Sequence, residues 1–294
     1  MKDSIRVALV QVAWLGDQAA MQAQYRGLIA QAAAAGAALV CLPELSLTPY
    51  FPAVRDPAGF AWAERLPGGP SETCFSALAR EHRVALVGSL FEETPDGELY
   101  DTATLHGPDG RLIGVTRKVH IPSGAGYHET DYFQPGDDYP VFDLGPLAVA
   151  TPTCYDQWFP ELARIYTLNG AHFIFYPTAI GSEPTDPDFD SRDAWQAVMR
   201  GHAVANGVFV GAANRVGTEN GLRFYGSSFI CDPTGRLLAQ AGRDTTEVIV
   251  ADLDAATFHR WRRLFPLLHQ RRPATYRRLG EAWAGPDRPE WLES

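Results

Sequence analysis

Short, unbroken apolar runs alternate along this chain with longer stretches in which apolar residues recur every three or four positions. The runs have the length and composition of strands: 5–12 (IRVALVQV), 37–42 (ALVCLP), 84–90 (VALVGSL), 100–106 (YDTATLH), 111–117, 146–151 (PLAVAT), 171–176 (AHFIFY), 207–213 (GVFVGAA), 227–232 (SSFICD) and 246–253 (TEVIVADL). Helical spacing covers 17–35, 71–83, 160–169 and 190–205, the second opening on Ser71 with Glu72 in its first turn. The tetrapeptides GPDG (107–110) and DPTG (232–235) predict hairpin turns. Strands interleaved with helices predict an α/β fold whose sheets are covered on one or both faces. No Pro/Gly/Ser linker and no fixed-period repeat divides the chain, so residues 1–294 are expected to form a single domain.

Composition narrows this picture. The 294 residues are 46% hydrophobic, enough for a sizeable core. No apolar stretch reaches the roughly 20 residues that a bilayer span needs. The start, MKDSIRVALVQV, lacks the apolar segment and cleavage site of a signal peptide, so a cytoplasmic location is expected. Cysteines 41, 74, 154 and 231 show no paired spacing and are expected to be free thiols. The net charge of −10 argues against nucleic acid as a partner. Positive charge is concentrated: 255–278 carries seven arginines and no acid. With Trp261, Leu264, Phe265, Leu267, Leu268 and Tyr276 interleaved, residues 255–294 are expected to be an Arg-rich tail packing on another subunit of a homo-oligomer.

The candidate chemistry starts from a scarcity. Twenty-three of the 25 basic residues are arginine, and apart from Lys2 the one lysine is Lys118, directly after Arg117. Two strand ends also stand out: LVCLPE ends in Glu44, and PLAVATPTC ends in Cys154 just before a helix expected near Pro160. Reactive groups in α/β sheets gather beyond the carboxyl ends of strands. A thiol, a carboxylate and a lysine there could serve as nucleophile, base and electrostatic stabiliser. Cysteine is ordinarily a buried structural residue, and that reading suffices for Cys41, Cys74 and Cys231. Cys154 has polar, turn-forming neighbours, and the following helix N-terminus is expected to favour its thiolate. Glu44 could equally be a solvated loop charge and Lys118 a surface residue. The histidines show no metal-ligand spacing, and HExxH, Walker A, GxGxxG and GxSxG sequences are missing.

Around these three points the sequence resembles the nitrilase superfamily of carbon–nitrogen hydrolases over nearly its whole length. The resemblance lies in LVCLPELSLTPYFP, RKVHIPSGAGYHETDYFQPGD, TCYDQWFPELARIYTLNGA, NRVG (214–217), FYGSSFICDPTGRLL and HQRRPATY, in that order. Within the superfamily it looks most like the N-carbamoylputrescine amidases, from KVHIPSGAGYHE, DQWFPE and FYPTAIGSEPTDPDFDSRDAWQAVMRGHAVAN. The resemblance implies a four-layer αββα sandwich and a catalytic triad of Glu44, Lys118 and Cys154, supported by Glu129. It implies a thiol amidohydrolase with no cofactor and no metal, and a backbone N–H near Tyr155 that binds the oxyanion. The sequence departs from the subgroup at ATPTCYDQ. Pro152 removes a backbone donor there, and Tyr155 replaces a tryptophan.

The resemblance also places substrate recognition near Glu183 and Trp158. A carboxylate at Glu183 would suit an amine-bearing carbamoyl substrate, while Asp186, Asp188, Asp190 and Asp193 could be simply a solvated acidic loop. A ureido acid or ω-amide carrying a carboxylate would instead require an arginine such as Arg192 or Arg215 in the pocket. A non-catalytic scaffold of the same fold is the remaining alternative.

Overall fold

Two β-sheets stack face to face with helices on both outer sides in the computed structural model, which describes residues 1–283 and 285. The elements in chain order are β1 (Ile5–Ala13), α1 (Gln18–Ala34), β2 (Leu39–Cys41), β3 (Glu64–Arg65), α2 (Pro70–His82), β4 (Ala85–Glu93), β5 (Leu99–His106), β6 (Leu112–Arg117), β7 (Phe142–Asp143) and β8 (Ala148–Ala150). There follow α3 (Pro160–Leu168), β9 (Phe173–Pro177), α4 (Arg192–Asn206), β10 (Phe209–Ala213), β11 (Arg215–Glu219), β12 (Leu222–Tyr225), β13 (Phe229–Cys231), β14 (Leu237–Gln240), β15 (Glu247–Leu253) and α5 (Ala255–Leu264). One sheet runs β12-β11-β1-β2-β4-β5-β6, with β15 also on β1 and β3 on β4; the other runs β14-β13-β10-β9-β8-β7.

The apolar runs are continuous because both faces of each central strand are buried. In the first sheet, Val7, Leu9, Leu39, Cys41, Val87 and Leu105 meet Val149, Phe173, Phe175, Phe209 and Ile230 of the second. The alternate residues Ala8, Val10, Val40 and Leu86 pack on Met21, Tyr25 and Ile29 of α1 and Phe75 and Leu78 of α2. Ile174, Tyr176, Val210 and Ala212 of the second sheet are covered by Leu162 and Tyr166 of α3 and Trp195 and Met199 of α4. The order of layers is therefore α, β, β, α. Cys41 and Cys231 are buried in these layers and Cys74 is half-buried beside them, all free.

Besides the two-residue strands β3 and β7, which no apolar run predicted, the structure departs from the predicted elements in four places. Helix α2 opens at Pro70 rather than Ser71: Gly69 is its N-cap, and Glu64, not a capping serine, accepts from the Ser71 N–H (2.7 Å). Strands β11 and β12 form a hairpin that apolar periodicity did not mark, turning on Asn220 and Gly221, both at positive φ (48° and 85°). Strand β14 completes the hairpin begun at DPTG. The fourth departure is the expected tail. Residues 255–264 form α5, capped by the Asp254 carboxylate on the N–H groups of Ala256 and Thr257 and anchored by buried Phe258. Residues 284 and 286–294 of that segment lie outside the described residues. No helix among the described residues is long and apolar enough to cross a membrane.

Candidate active site

Three chain segments bring side chains to one place at the carboxyl ends of the central strands. The first leaves β2 through Leu42-Pro43-Glu44 into a tight turn, where Leu45 takes a left-handed conformation (φ 48°). A non-glycine residue there costs of order 1 kcal/mol or more and persists only where neighbours enforce it. Here the Leu45 N–H donates to Ser89 Oγ (2.9 Å) and Ser46 Oγ donates to the Pro43 carbonyl (2.6 Å). Arg215, fully buried, donates to the carbonyls of Glu44 (3.0 Å), Leu45 (2.6 Å) and Thr48 (2.8 Å). Its charge is met by Glu219 at 2.9 Å.

The second segment is the end of β6, where the Lys118 N–H donates to the Asp101 carbonyl of β5 (2.9 Å). The third leaves β8 through Thr151-Pro152-Thr153 and enters a 3-10 turn, Cys154–Trp158, with Cys154 at φ 42°. The Asp156 carboxylate fastens this turn to the lysine segment. It accepts from the N–H of Thr153 (3.2 Å), Val119 (3.2 Å) and His120 (2.8 Å). From behind, Trp195 Nε1 of α4 donates to Gln157 Oε1 (2.7 Å) and His202 Nε2 donates to the Gln157 carbonyl (2.9 Å).

At the meeting point the Lys118 ammonium, wholly buried, donates to Glu44 Oε1 (2.7 Å) and to Glu129 Oε2. Glu129 in turn accepts from the Tyr50 hydroxyl (2.6 Å). Asp101 Oδ2 lies 3.4 Å from the same ammonium. One oxygen from each of Glu44, Asp101 and Glu129 falls within 4.8 Å of the others, a convergence that could hold a cation. Lys118 already supplies one, at hydrogen-bonding distance from two of the three.

Burial raises Glu44 well above the ordinary carboxylate range; Lys118 opposes that rise, and Asp101 and Glu129 add to it. Glu129 is raised by burial and partly restored by Lys118. Burial alone would drive Lys118 down, but Glu129, Glu44 and Cys154 hold it well above the usual lysine value, so it stays charged. The Cys154 thiol is pushed well up by burial and by Glu44, with Lys118 opposing. The expected thiolate at a helix N-terminus therefore does not form unaided, because burial and two carboxylates outweigh one short helical turn.

Cys154 and Glu129 open onto a cavity of about 460 Å³ that Tyr155, Trp158, Glu183 and Phe189 also line. Tyr155 occupies the first turn of its helix, where N–H groups lack intrahelical acceptors. Glu183 is half-buried at the cavity wall, its carboxyl raised by burial and partly offset by Ser191. Beside it Gly181 packs so closely on the Arg223 carbonyl that a Cβ would not fit, and its N–H donates to the Tyr127 hydroxyl (3.1 Å). The other acids of the loop are exposed: Asp190 pairs with Arg243 (2.8 Å) and Asp193 with Arg192 (2.9 Å). Neither Arg192 nor Arg215 lines the cavity, and among the described residues no lysine or arginine does.

Sequence reasoning missed Asp101, Asp156, Tyr50 and the structural task of Arg215. Asp101 carried a signal, a lone acid inside an otherwise uncharged strand segment.

Paired sheets with outer helices and a buried site at their strand ends define a nitrilase-fold hydrolase of carbon–nitrogen bonds. The chain belongs to the carbon–nitrogen hydrolase family, which it matches over residues 6–263. It is 40% identical over 279 residues to the citrullinase of Francisella tularensis subsp. tularensis, covering 93% of this chain and 97% of that protein. It is 40% identical over 284 residues to the N-carbamoylputrescine amidase of Solanum lycopersicum, covering 94% of each. The carbon–nitrogen hydrolase structure from Helicobacter pylori G27 superposes with a TM-score of 0.89 at 34% identity, over 95% of this chain and 99% of that one.

Proposed function

We propose that this chain is a thiol amidohydrolase that removes ammonia from a terminal carbamoyl group attached to an amine-bearing chain, with N-carbamoylputrescine as the substrate. The observation that carries this reading is the cavity beside Cys154, with Glu183 on its wall and no basic side chain lining it. A half-buried carboxylate attracts an ammonium, whereas a substrate carboxylate would meet repulsion and no bidentate partner.

In the proposed reaction Glu44 takes the Cys154 proton, and the thiolate attacks the carbamoyl carbon. The carbonyl oxygen becomes an oxyanion, stabilised by Lys118 and the Tyr155 N–H. Glu44 returns the proton to nitrogen, and ammonia leaves with the C–N bonding pair. The Cys154 thiocarbamate that remains is attacked by water, which Glu44 deprotonates. The thiol re-forms, and the released N-carboxyamine loses CO2 to give the diamine. Glu129 holds the ammonium of Lys118 in place, and Trp158 bounds the path to Glu183.

A second reading, a ureido amino acid such as citrulline, draws support from the Francisella relative. Ammonia release from N-carbamoylputrescine, citrulline, N-carbamoyl-β-alanine and α-ketoglutaramate separates the two. N-carbamoylputrescine is expected to give the highest kcat/KM, by about tenfold or more, and Glu183→Gln to raise its KM selectively. A preference for N-carbamoyl-β-alanine or α-ketoglutaramate would reject the amine reading, and a preference for citrulline, which carries an ammonium as well as a carboxylate, would reject N-carbamoylputrescine as the substrate.

A further inference from the structure

The proposed reaction leaves one fully buried carboxylate of the cluster unused: Asp101, on β5. Its backbone carbonyl accepts from Lys118, its Oδ2 lies 3.4 Å from the Lys118 ammonium, and its Oδ1 accepts from Ser89 Oγ (3.2 Å). That serine oxygen also accepts from Leu45, the residue after Glu44, so Asp101 is joined to the base through one side chain. Two buried oxygens are left without partners here, Glu44 Oε2 and Asp101 Oδ2. An ionised carboxylate is acceptor-only, so two carboxylates cannot satisfy one another. Adding a single proton turns one of them into a donor. The charge count asks for the same proton. Three ionised carboxylates against one ammonium would leave two uncompensated negative charges in a site with no exposed member.

We propose that Asp101 is a positioning residue that shares one proton with Glu44, holding it while Glu44 serves as the base. With the proton on Asp101, Glu44 stays ionised and accepts one hydrogen bond from Lys118 and one from Asp101. When the Cys154 proton moves to Glu44, one proton leaves sulfur and one arrives on oxygen, and the charge of the cluster is unchanged. The shared proton belongs to the two carboxylates together rather than to either one. The charged and titratable groups facing it are Lys118 at the end of β6, Glu129 and Tyr50 on the loops across the ammonium, and Cys154 on its turn. The Arg215 guanidinium lies behind the backbone of Glu44.

The inference rests on Cys154 and Glu44 acting as thiol and base, but not on the identity of the substrate. Its test is accordingly the pH dependence of Cys154 alkylation by iodoacetamide, in wild type, Asp101→Asn and Asp101→Leu. The asparagine keeps the shape and, through its amide N–H, the donor that a protonated Asp101 offers Glu44, whereas leucine removes that donor. The acid limb of the alkylation profile is expected to stay close to wild type in Asp101→Asn and to move up by about one pH unit in Asp101→Leu. A limb that moves down in Asp101→Asn would mark an ionised Asp101 and overturn the proposal, as would an unmoved limb in Asp101→Leu. No alkylation of Cys154 in any of the three proteins would overturn it together with the thiol reading. If a variant fails to fold, infrared spectra of wild type with 13C-labelled aspartate decide. A label-sensitive carboxylic-acid band at neutral pH supports the shared proton, and its absence excludes it.

Discussion

At the scale of single residues, the choice of lysine at 118 follows from the space and the neighbours. Glu44, Glu129 and Asp101 surround one nitrogen, and the ammonium donates to the first two while Asp101 Oδ2 lies 3.4 Å away. A planar guanidinium would clamp Glu44 through two parallel bonds and occupy the base. Lys118→Arg is therefore expected to lower kcat by roughly 10²–10³, the cost of a lost oxyanion donor, with the fold retained by circular dichroism. Activity close to wild type would show that any buried cation suffices. Cys154 raises the complementary point: its thiol is held protonated, so turnover depends on a base that is itself raised by burial. Activity requires Glu44 ionised, and a raised group loses its proton only at higher pH. The acid limb of kcat/KM should then lie above the roughly 4.3 of an ordinary glutamate, and Glu44→Gln should lower kcat by roughly 10²–10⁴. A limb at or below the ordinary value would remove Glu44 from the role of base.

At the scale of elements, the site depends on a connection between the first sheet and the loop that carries Glu44. Arg215 begins β11, and its guanidinium holds three carbonyls of that loop while Glu219, four residues on, balances its charge. Glu219 also accepts from the Tyr50 N–H (2.7 Å), closing the turn at its far end. Arg215→Met would leave the Glu219 charge buried without its partner. It should destabilise the protein by about 3–5 kcal/mol by chemical denaturation, with a loss of kcat that outlasts any return of stability on cooling. The same elements show how far the sequence could be read. The central strands and α1, α3 and α4 declare themselves because burial on both faces, or on one stripe, writes their apolar pattern directly. Glu44, Lys118 and Cys154 stood out as a carboxylate and a thiol at strand ends and a lysine in an arginine-rich chain, and the family resemblance joined them. The β11–β12 hairpin was missed because RVGTE has no apolar run. The Asn220-Gly221 dipeptide, whose positive φ values suit a tight hairpin, was the available signal. Asp101 was marked only as a lone acid in its strand, and the tasks of Asp101 and Arg215 could not be read for another reason. Asp101 meets Lys118 across 17 positions and Arg215 meets Glu44 across 171, brought together by sheet register and not by spacing along the chain.

At the scale of the whole molecule, the chain is charged unevenly, and its C-terminal region leaves apolar side chains uncovered. Helix α5 is fastened by Phe258 and by Arg262, which donates to the Gly207 carbonyl (2.8 Å) and which burial lowers to about 10. Beyond that helix, Phe265, Leu267, Leu279 and Trp283 are exposed, the last by 82%, among five arginines between 263 and 278. Apolar groups set among arginines resemble an interface more than a solvated surface. A second copy of this chain offers the matching charge, since outside 255–278 each copy carries a net −17. The expected result by light scattering is a species at twice 32.2 kDa or a higher multiple. Phe265→Glu with Leu267→Glu should shift it toward the monomer, with α5 still held by its buried Phe258. A wild-type protein that stays at the monomer mass at micromolar concentration would show that this surface has no partner in its own kind. If the oligomer instead persists in the double variant, the contact lies elsewhere on the molecule.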